Sequence, residues 1–153
     1  MAEGDNRVVL IAVDASQQAD EAFEWYLTNM ARDSDSVKVV HCAEFHIDFS
    51  VGMNYDEKSM QQITEKMKAQ QDKVDQLKNK FVEKLRGKIK GEAFVLSGKK
   101  PGEAIIDAAE THKANLIICG TRGLGKIRRT FLGSVSDYVV QHARCPVVVV
   151  RND

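Results

Sequence analysis

The sequence predicts an α/β fold: a single-domain, five-stranded parallel sheet with helices on both faces. Two observations lead to this prediction. Short apolar runs rich in β-branched residues recur along the chain, and segments with helical periodicity separate them. Such runs, without polar alternation, are typical of strands that are buried on both faces. Alternating strands and helices in turn favour parallel strands joined by right-handed crossovers.

Five apolar runs are the candidate strands. They occupy residues 8–13, 37–42, 93–96, 116–119 and 147–150. The first run ends at Asp14, a polar residue placed where a strand would give way to a turn. The last run follows Pro146, which favours a position at the edge of the sheet because proline cannot donate to a strand ladder.

Four segments between these runs carry apolar residues at spacings of three and four, which predicts helices. Ser16 is the predicted N-cap of the first, Pro101 suits the first turn of the third, and Ser134 is the predicted cap of the fourth. The second runs from Met60 to about Leu85 and would be about 40 Å long. Its near-heptad spacing fits a coiled-coil partner surface, and its polar face and length fit a helix that covers the sheet. We favour the interpretation as a helix that covers the sheet.

Length and composition favour one domain that spans residues 1–153. The chain has a mass of 17.1 kDa, with 43% hydrophobic and 29% charged residues, which is a globular balance. We expect residues 1–6 to be flexible and residues 46–58 to form a long loop. The 22 basic and 22 acidic residues give a net charge of zero, which argues against a nucleic-acid-binding protein.

The cysteines and the amino-terminal sequence favour a cytoplasmic protein. Cys42, Cys119 and Cys145 form no CxxC pair and lie in or beside apolar runs, as free thiols in a reducing compartment do. Residues 1–6 carry neither a basic start nor an apolar signal core. Since no apolar run approaches the roughly 18 residues that a membrane span needs, we expect no membrane association.

A spaced glycine motif is the candidate phosphate-binding segment of the chain. Gly120 and Gly123 follow the fourth predicted strand, and nine residues separate Gly123 from Gly133-Ser134, where the fourth predicted helix opens. Glycines allow backbone amides to approach a phosphate chain, and a helix N-terminus carries positive dipole character. The alternative is that these glycines merely turn the chain. The strand-loop-helix setting favours phosphate binding.

This spacing resembles the universal stress protein family, whose nucleotide-binding members carry G-x2-G-x9-G-[ST]. The match here is Gly120, Gly123, Gly133 and Ser134, without departure, and the resemblance extends over nearly the whole chain. It implies a Rossmann-like fold of the adenine nucleotide alpha hydrolase-like type, with sheet order 3-2-1-4-5. Ligands of such sheets bind where the strand order reverses, beyond the carboxyl ends of the strands.

The resemblance also implies the site residues and the ligand, which is ATP, with or without Mg²⁺. Residues 12–14 would border the adenosine, Cys42 would offer main-chain groups to the adenine edge, and the remaining residues would hold ribose and phosphates. The implied nucleotide-binding residues are Ala12, Val13, Asp14, Cys42, Gly120, Arg122, Gly123, Gly133, Ser134 and Val135.

Two of these residues have simpler interpretations that stay open. Asp14 can be a turn or cap residue of the first helix, and Cys42 can be ordinary core packing. Arg122 can pair with a phosphate, whereas Arg128 and Arg129 fit a solvated basic loop.

Three functional hypotheses remain at this point. The first is an ATP-binding module of stress response or signalling, the second a slow ATP hydrolase in the same site, and the third a dimeric interaction protein that binds no nucleotide. The sequence contains no GxxxxGK[ST] motif, and its histidines show no metal-binding spacing, so we predict no catalytic residues and no metal site. The resemblance further implies a homodimer formed through the last strand, Pro146–Val150.

Overall fold

Strands and helices alternate along the chain as predicted. The structure, a computed structural model, describes residues 6–44, 56–121 and 132–151. The strands are β1 (Val8–Val13), β2 (Ser36–Cys42), β3 (Gly91–Leu96), β4 (Leu116–Gly120) and β5 (Val147–Val150). The helices are α1 (Gln17–Asn29), α2 (Glu57–Leu85), α3 (Pro101–Thr111) and α4 (Ser134–His142). No described helix combines the length and the apolar character needed to cross a membrane.

The five strands form one parallel sheet in the order β3-β2-β1-β4-β5, which confirms the predicted topology. β1 lies at the centre, where Val9 pairs with Val37 of β2 on one side and with Leu116 of β4 on the other. The chain therefore builds outward from β1 in two opposite directions. The strand order reverses between β1 and β4, and this is where an open α/β sheet has its ligand crevice.

Helices cover both faces of the sheet. Successive side chains of a strand point to opposite faces, so β1 contributes Val9 and Ile11 to the core under α1 and α2, and Leu10 to the core under α3 and α4. Phe23 and Phe81 meet edge to face between α1 and α2, with ring centroids 5.5 Å apart. The prediction of strands buried on both faces is confirmed for the central strands.

The second helix is longer than the sheet that it covers. Its 29 residues extend about 43 Å, whereas a six-residue strand extends only about 20 Å. All of its buried residues lie in its carboxyl-terminal half; they are Val74, Leu77, Phe81 and Leu85. In its first half, Met60 and Met67 are 52% and 49% exposed. The interpretation as a sheet-covering helix therefore holds for the carboxyl-terminal half of α2, while the other half extends past the core.

The start of α2 corrects the predicted loop. The helix begins at Glu57, so Glu57 and Lys58 are helical and do not belong to a loop that spans residues 46–58. Asp56 explains this start, because its side chain accepts a hydrogen bond of 2.8 Å from the Ser59 amide and so caps the helix. Residues 46–55 of the predicted loop and residues 1–5 of the predicted flexible start lie outside the described residues.

A buried ionic cluster stabilises the end of the sheet opposite to the crevice. The Asp35 carboxylate is fully buried and accepts hydrogen bonds from the Arg7 guanidinium at 2.7 and 2.8 Å, from the Tyr26 hydroxyl at 2.5 Å and from the Arg32 amide at 3.0 Å. Burial by itself raises the pKa of Asp35, but these hydrogen bonds outweigh burial and hold the pKa below its ordinary value.

Candidate functional site

A cavity of about 390 Å³ opens at the carboxyl ends of β1, β2 and β4. Its walls come from those strand ends, from the first turns of α1, α3 and α4, and from the middle of α2. Its volume falls within the range of small-molecule sites, about 300–1,000 Å³. Because it lies where the strand order reverses, it occupies the position at which this class of sheet binds ligands.

The turn after β1 is built by Asp14. Its Oδ1 accepts hydrogen bonds from the Ser16 amide at 2.9 Å and from the Ser16 hydroxyl, and the Ser16 Oγ accepts one from the Ala19 amide at 3.2 Å. Ser16 is therefore the N-cap of α1, as predicted. Asp14 therefore holds the turn, as one of its two interpretations predicts, and it also lines the cavity.

The end of β2 contributes an apolar wall. The Cys42 thiol donates a hydrogen bond of 3.5 Å to the Pro101 carbonyl at the start of α3. Burial, assisted by the charge of Glu44, raises the pKa of Cys42 to about 11, and burial also raises the pKa of Cys119. Both residues therefore stay protonated near neutral pH and contribute packing surface here, not nucleophiles.

Gly120, the last residue of β4, is required by the packing of α1. A Cβ at this position would lie 2.8 Å from the Gln18 carbonyl oxygen and 3.5 Å from the Ala22 Cβ. The Gly120 carbonyl also accepts a hydrogen bond of 3.1 Å from the Ser136 hydroxyl, which fixes the start of α4 over the end of β4. This glycine of the motif therefore has a structural reason that does not depend on any ligand.

Gly133 behaves differently. It is the N-cap of α4, with φ −62° and ψ 157°, a conformation open to any residue, and a Cβ at this position would have no heavy atom of the described residues within 4 Å. The predicted cap, Ser134, is wrong by one position: Ser134 is the first helical residue, and no described side chain caps α4. The amides of Ser134 and Val135 have no intrahelical acceptor, because the first amides of any helix lack one.

The structure brings most of the predicted residues to this one cavity. Its lining includes Ala12, Val13, Asp14, Cys42, Gly120, Gly133, Ser134 and Val135. Arg122 and Gly123, together with Arg128 and Arg129, lie outside the described residues.

Sequence reasoning missed a second group of lining residues. They are Ser16, Gln18, Ala19, Val40, His41, Glu44, Gln70, Lys73, Val74, Pro101, Ile105, Cys119, Thr121 and Ser136. A signal for Pro101 was available, since a helix that follows a parallel strand begins at the edge where that strand ends. No such signal marked Lys73, because which turn of α2 reaches the crevice depends on how α2 packs.

The chemistry of this lining is suited to binding a charged, partly apolar molecule. Asp14, Glu44 and Lys73 supply charge, and the start of α4 supplies amides beside apolar side chains such as Ile105. Across the described ranges, no group of three or more His, Cys, Asp or Glu side chains is placed to hold a metal ion.

Comparisons with known proteins agree with this architecture. The family model described as the universal stress protein family matches residues 5–151. A universal stress protein of Thermus aquaticus is 34% identical over 145 residues, which cover 95% of this chain and 98% of that protein.

Two solved structures share the fold. One is a universal stress protein family protein from Arabidopsis thaliana with AMP bound, with a TM-score of 0.69 and 24% identity over 96% of this chain and 92% of that one. The other is a universal stress protein in complex with cAMP, with a TM-score of 0.56 and 19% identity over 94% of this chain and 95% of that one. With the family match over nearly its whole length, the chain belongs to the universal stress protein family.

Proposed function

We propose that this chain binds ATP in the cavity at the ends of β1, β2 and β4 and acts as a nucleotide-dependent module in stress response or signalling. The observation that carries the proposal is the convergence of two distant segments, the turn at Asp14 and the α4 start at Gly133, on one cavity at the point where strand order reverses.

The two ends of the cavity suit the two ends of a nucleotide. Cys42, Val40 and Ile105 form an apolar wall between β2 and α3, which is suited to a purine ring. The start of α4 offers amides without an intrahelical acceptor and dipole character, which are suited to phosphates. In this orientation the base lies toward β2 and the phosphates lie toward Gly133 and Ser134.

The choice of an adenine nucleotide draws on the relatives. The two solved structures described above carry AMP and cAMP, which share an adenosine unit with ATP. Their identity to this chain is 24% and 19%, so the nucleotide class is carried over by analogy in fold.

The first experiment is to denature freshly purified protein and to identify any released nucleotide by chromatography and mass spectrometry. Co-purified ATP would support the proposal directly. If the protein is empty, calorimetric titration with Mg²⁺-ATP, with GTP as the control for base recognition, decides the question. Absence of binding at millimolar ATP would refute the proposal and favour an interaction protein that uses the fold as a scaffold.

A second part of the proposal is a homodimer formed through β5. Ile117 and Thr121 donate to the Pro146 and Val150 carbonyls, at 3.0 and 3.2 Å, so alternate residues of β5 face β4. Val149 then points its amide and carbonyl away from β4, toward the open edge, where a second copy can add its own β5.

Val149→Pro tests this dimer because it removes an outward amide and leaves the β4 ladder unchanged. We expect the wild type to elute as a dimer in size-exclusion chromatography with light scattering, and the variant as a folded monomer. A wild type that is monomeric, or a variant that stays dimeric, would contradict the β5 interface.

A further inference from the structure

One flank of α2 carries lysines at helical spacing, and two of them bind α1. Lys80 forms an ion pair of 2.6 Å with Asp20, and Lys84 forms one of 3.1 Å with Glu24. Both pairs join residues 60 apart in sequence, so α1 and α2 run in the same direction with a constant register. Lys73 precedes Lys80 by seven residues, or two helical turns, and so lies on the same flank.

The same register places Lys73 at the crevice. Two turns correspond to about 10.5 Å along the helix axis. With an offset of 60 residues, Gln17, the first residue of α1, lies level with Leu77, so Lys73 lies about one helical turn before the level at which α1 begins. Lys73 therefore has no α1 side chain opposite it. The cavity lining agrees, since it includes Lys73 together with Val13 and Asp14.

The backbone of Lys73 is held in place, and its charged side chain has no partner among the described residues. The next residue, Val74, is buried and is the first residue of α2 in the core, so the backbone at Lys73 is anchored. Within residues 6–44, 56–121 and 132–151, no ion pair or hydrogen bond engages the Lys73 ammonium. It is also the only lysine or arginine among the described residues that line the cavity.

The charges around Lys73 indicate what it is suited to bind. Asp14 and Glu44 line the same cavity, and two carboxylates oppose the entry of an anion. A single ammonium at the same mouth offsets that repulsion and favours ligands that carry phosphate over neutral ligands of the same shape. Lysine acts on phosphate as a mobile point charge on a long stem, which suits a group that must reach into a cavity from an exposed helix.

We propose that Lys73 binds a phosphate group of the nucleotide and makes the site selective for phosphorylated adenine nucleotides over adenosine. This inference rests on the proposed function and adds to it a binding residue from α2, a helix outside the glycine motif. It gives α2 two separate roles: the turns from Val74 onward cover the sheet, and the turn at Lys73 borders the ligand.

The test compares Lys73→Gln with Lys66→Gln and Lys73→Arg. Lys66 lies two turns before Lys73 on the same flank and does not line the cavity, so its variant removes an equivalent charge elsewhere. We expect calorimetry to show roughly a tenfold loss of ATP affinity in Lys73→Gln, about 1.4 kcal/mol, with near wild-type affinity in the other two variants. Adenosine affinity should be the same in all four proteins.

The outcomes separate this inference from the function on which it rests. If wild-type protein binds neither ATP nor adenosine, the proposed function itself fails. If it binds ATP and Lys73→Gln binds equally well, only the role of Lys73 is overturned. An equal loss of ATP and adenosine affinity would also overturn the phosphate contact, because it would place Lys73 beside the base or ribose. Circular dichroism of each variant checks that the helix content is unchanged.

Discussion

Replacing Gly133 with aspartate separates the stability of α4 from its binding of phosphate. The backbone there has φ −62° and ψ 157°, and a Cβ would meet none of the described residues within 4 Å, so neither strain nor a clash with them opposes the substitution. Aspartate is a better N-cap than glycine by a few tenths of a kcal/mol. We therefore expect Gly133→Asp to unfold at the same temperature as the wild type or slightly above it.

The same side chain opposes a phosphate at the start of α4. A carboxylate about 5 Å from a phosphate charge, at an effective dielectric constant of about 20, costs about 3 kcal/mol. This corresponds to a loss of ATP affinity of more than a hundredfold. Gly133→Asn is the matched control, because asparagine also caps the helix and has nearly the same shape without the charge. We expect it to lose only about tenfold, through competition for the amides.

Calorimetric titration of both variants at two salt concentrations measures the effect. The difference between Gly133→Asp and Gly133→Asn should shrink as salt rises, since screening weakens a charge repulsion. Equal ATP affinity in the two variants would refute the placement of phosphates at α4. A large fall in the melting temperature of either variant would show instead that Gly133 is needed for the fold.

Three further predictions concern stability. Gly120→Ala should lower the free energy of unfolding by about 1–3 kcal/mol in chemical denaturation, because its Cβ would meet the Gln18 carbonyl at 2.8 Å; unchanged stability would contradict this contact. Asp35→Asn should cost about 3 kcal/mol at pH 7 by leaving the partly buried Arg7 charge unpaired. The pKa of Asp35 in the folded protein lies below its ordinary value of 3.8, so the ionised carboxylate stabilises the wild type above that pH. The difference in unfolding free energy between the wild type and the variant should therefore narrow as pH falls below about 4. A difference that stays constant down to about pH 3 would contradict this linkage. Lys113→Gly should raise the unfolding free energy by about 0.5–1 kcal/mol, because Lys113 has φ +53°; a loss of stability in thermal denaturation would show that its side chain matters more than this strain.

The central strands were predictable because a strand that is buried on both faces has a continuous run of apolar residues in the sequence. β1 is buried on both faces, and its continuous apolar run has no other common explanation in a chain of this size. Helix starts were predictable where a side chain caps the helix, as at Ser16, or where proline occupies the first turn, as at Pro101. The sequence predicts the start of α4 one residue late because its cap is a glycine, and serine is the stronger signal in sequence.

The part of the site contributed by α2 was not predictable in the same way. The apolar spacing from Met60 onward continues into the residues that pack on the sheet, so sequence alone does not show where packing begins. That point is set by the register between α1 and α2, which depends on the Lys80 and Lys84 ion pairs and on the contact between Phe23 and Phe81. These are contacts between segments about 60 residues apart, and no local pattern encodes them.

The glycines of the motif show why a match to a binding motif does not assign each of its residues to binding. Gly120 is constrained by the Gln18 carbonyl and accepts a hydrogen bond from Ser136, so the fold alone requires a small residue there. Gly133 has an unstrained backbone and no described atom within 4 Å of where a Cβ would lie, so the described part of the fold tolerates a larger residue there. A requirement for glycine at 133 would therefore come from what approaches the start of α4. For this reason the Gly133 variants test the ligand, whereas Gly120→Ala tests the packing of α1 on β4, although one motif contains both glycines.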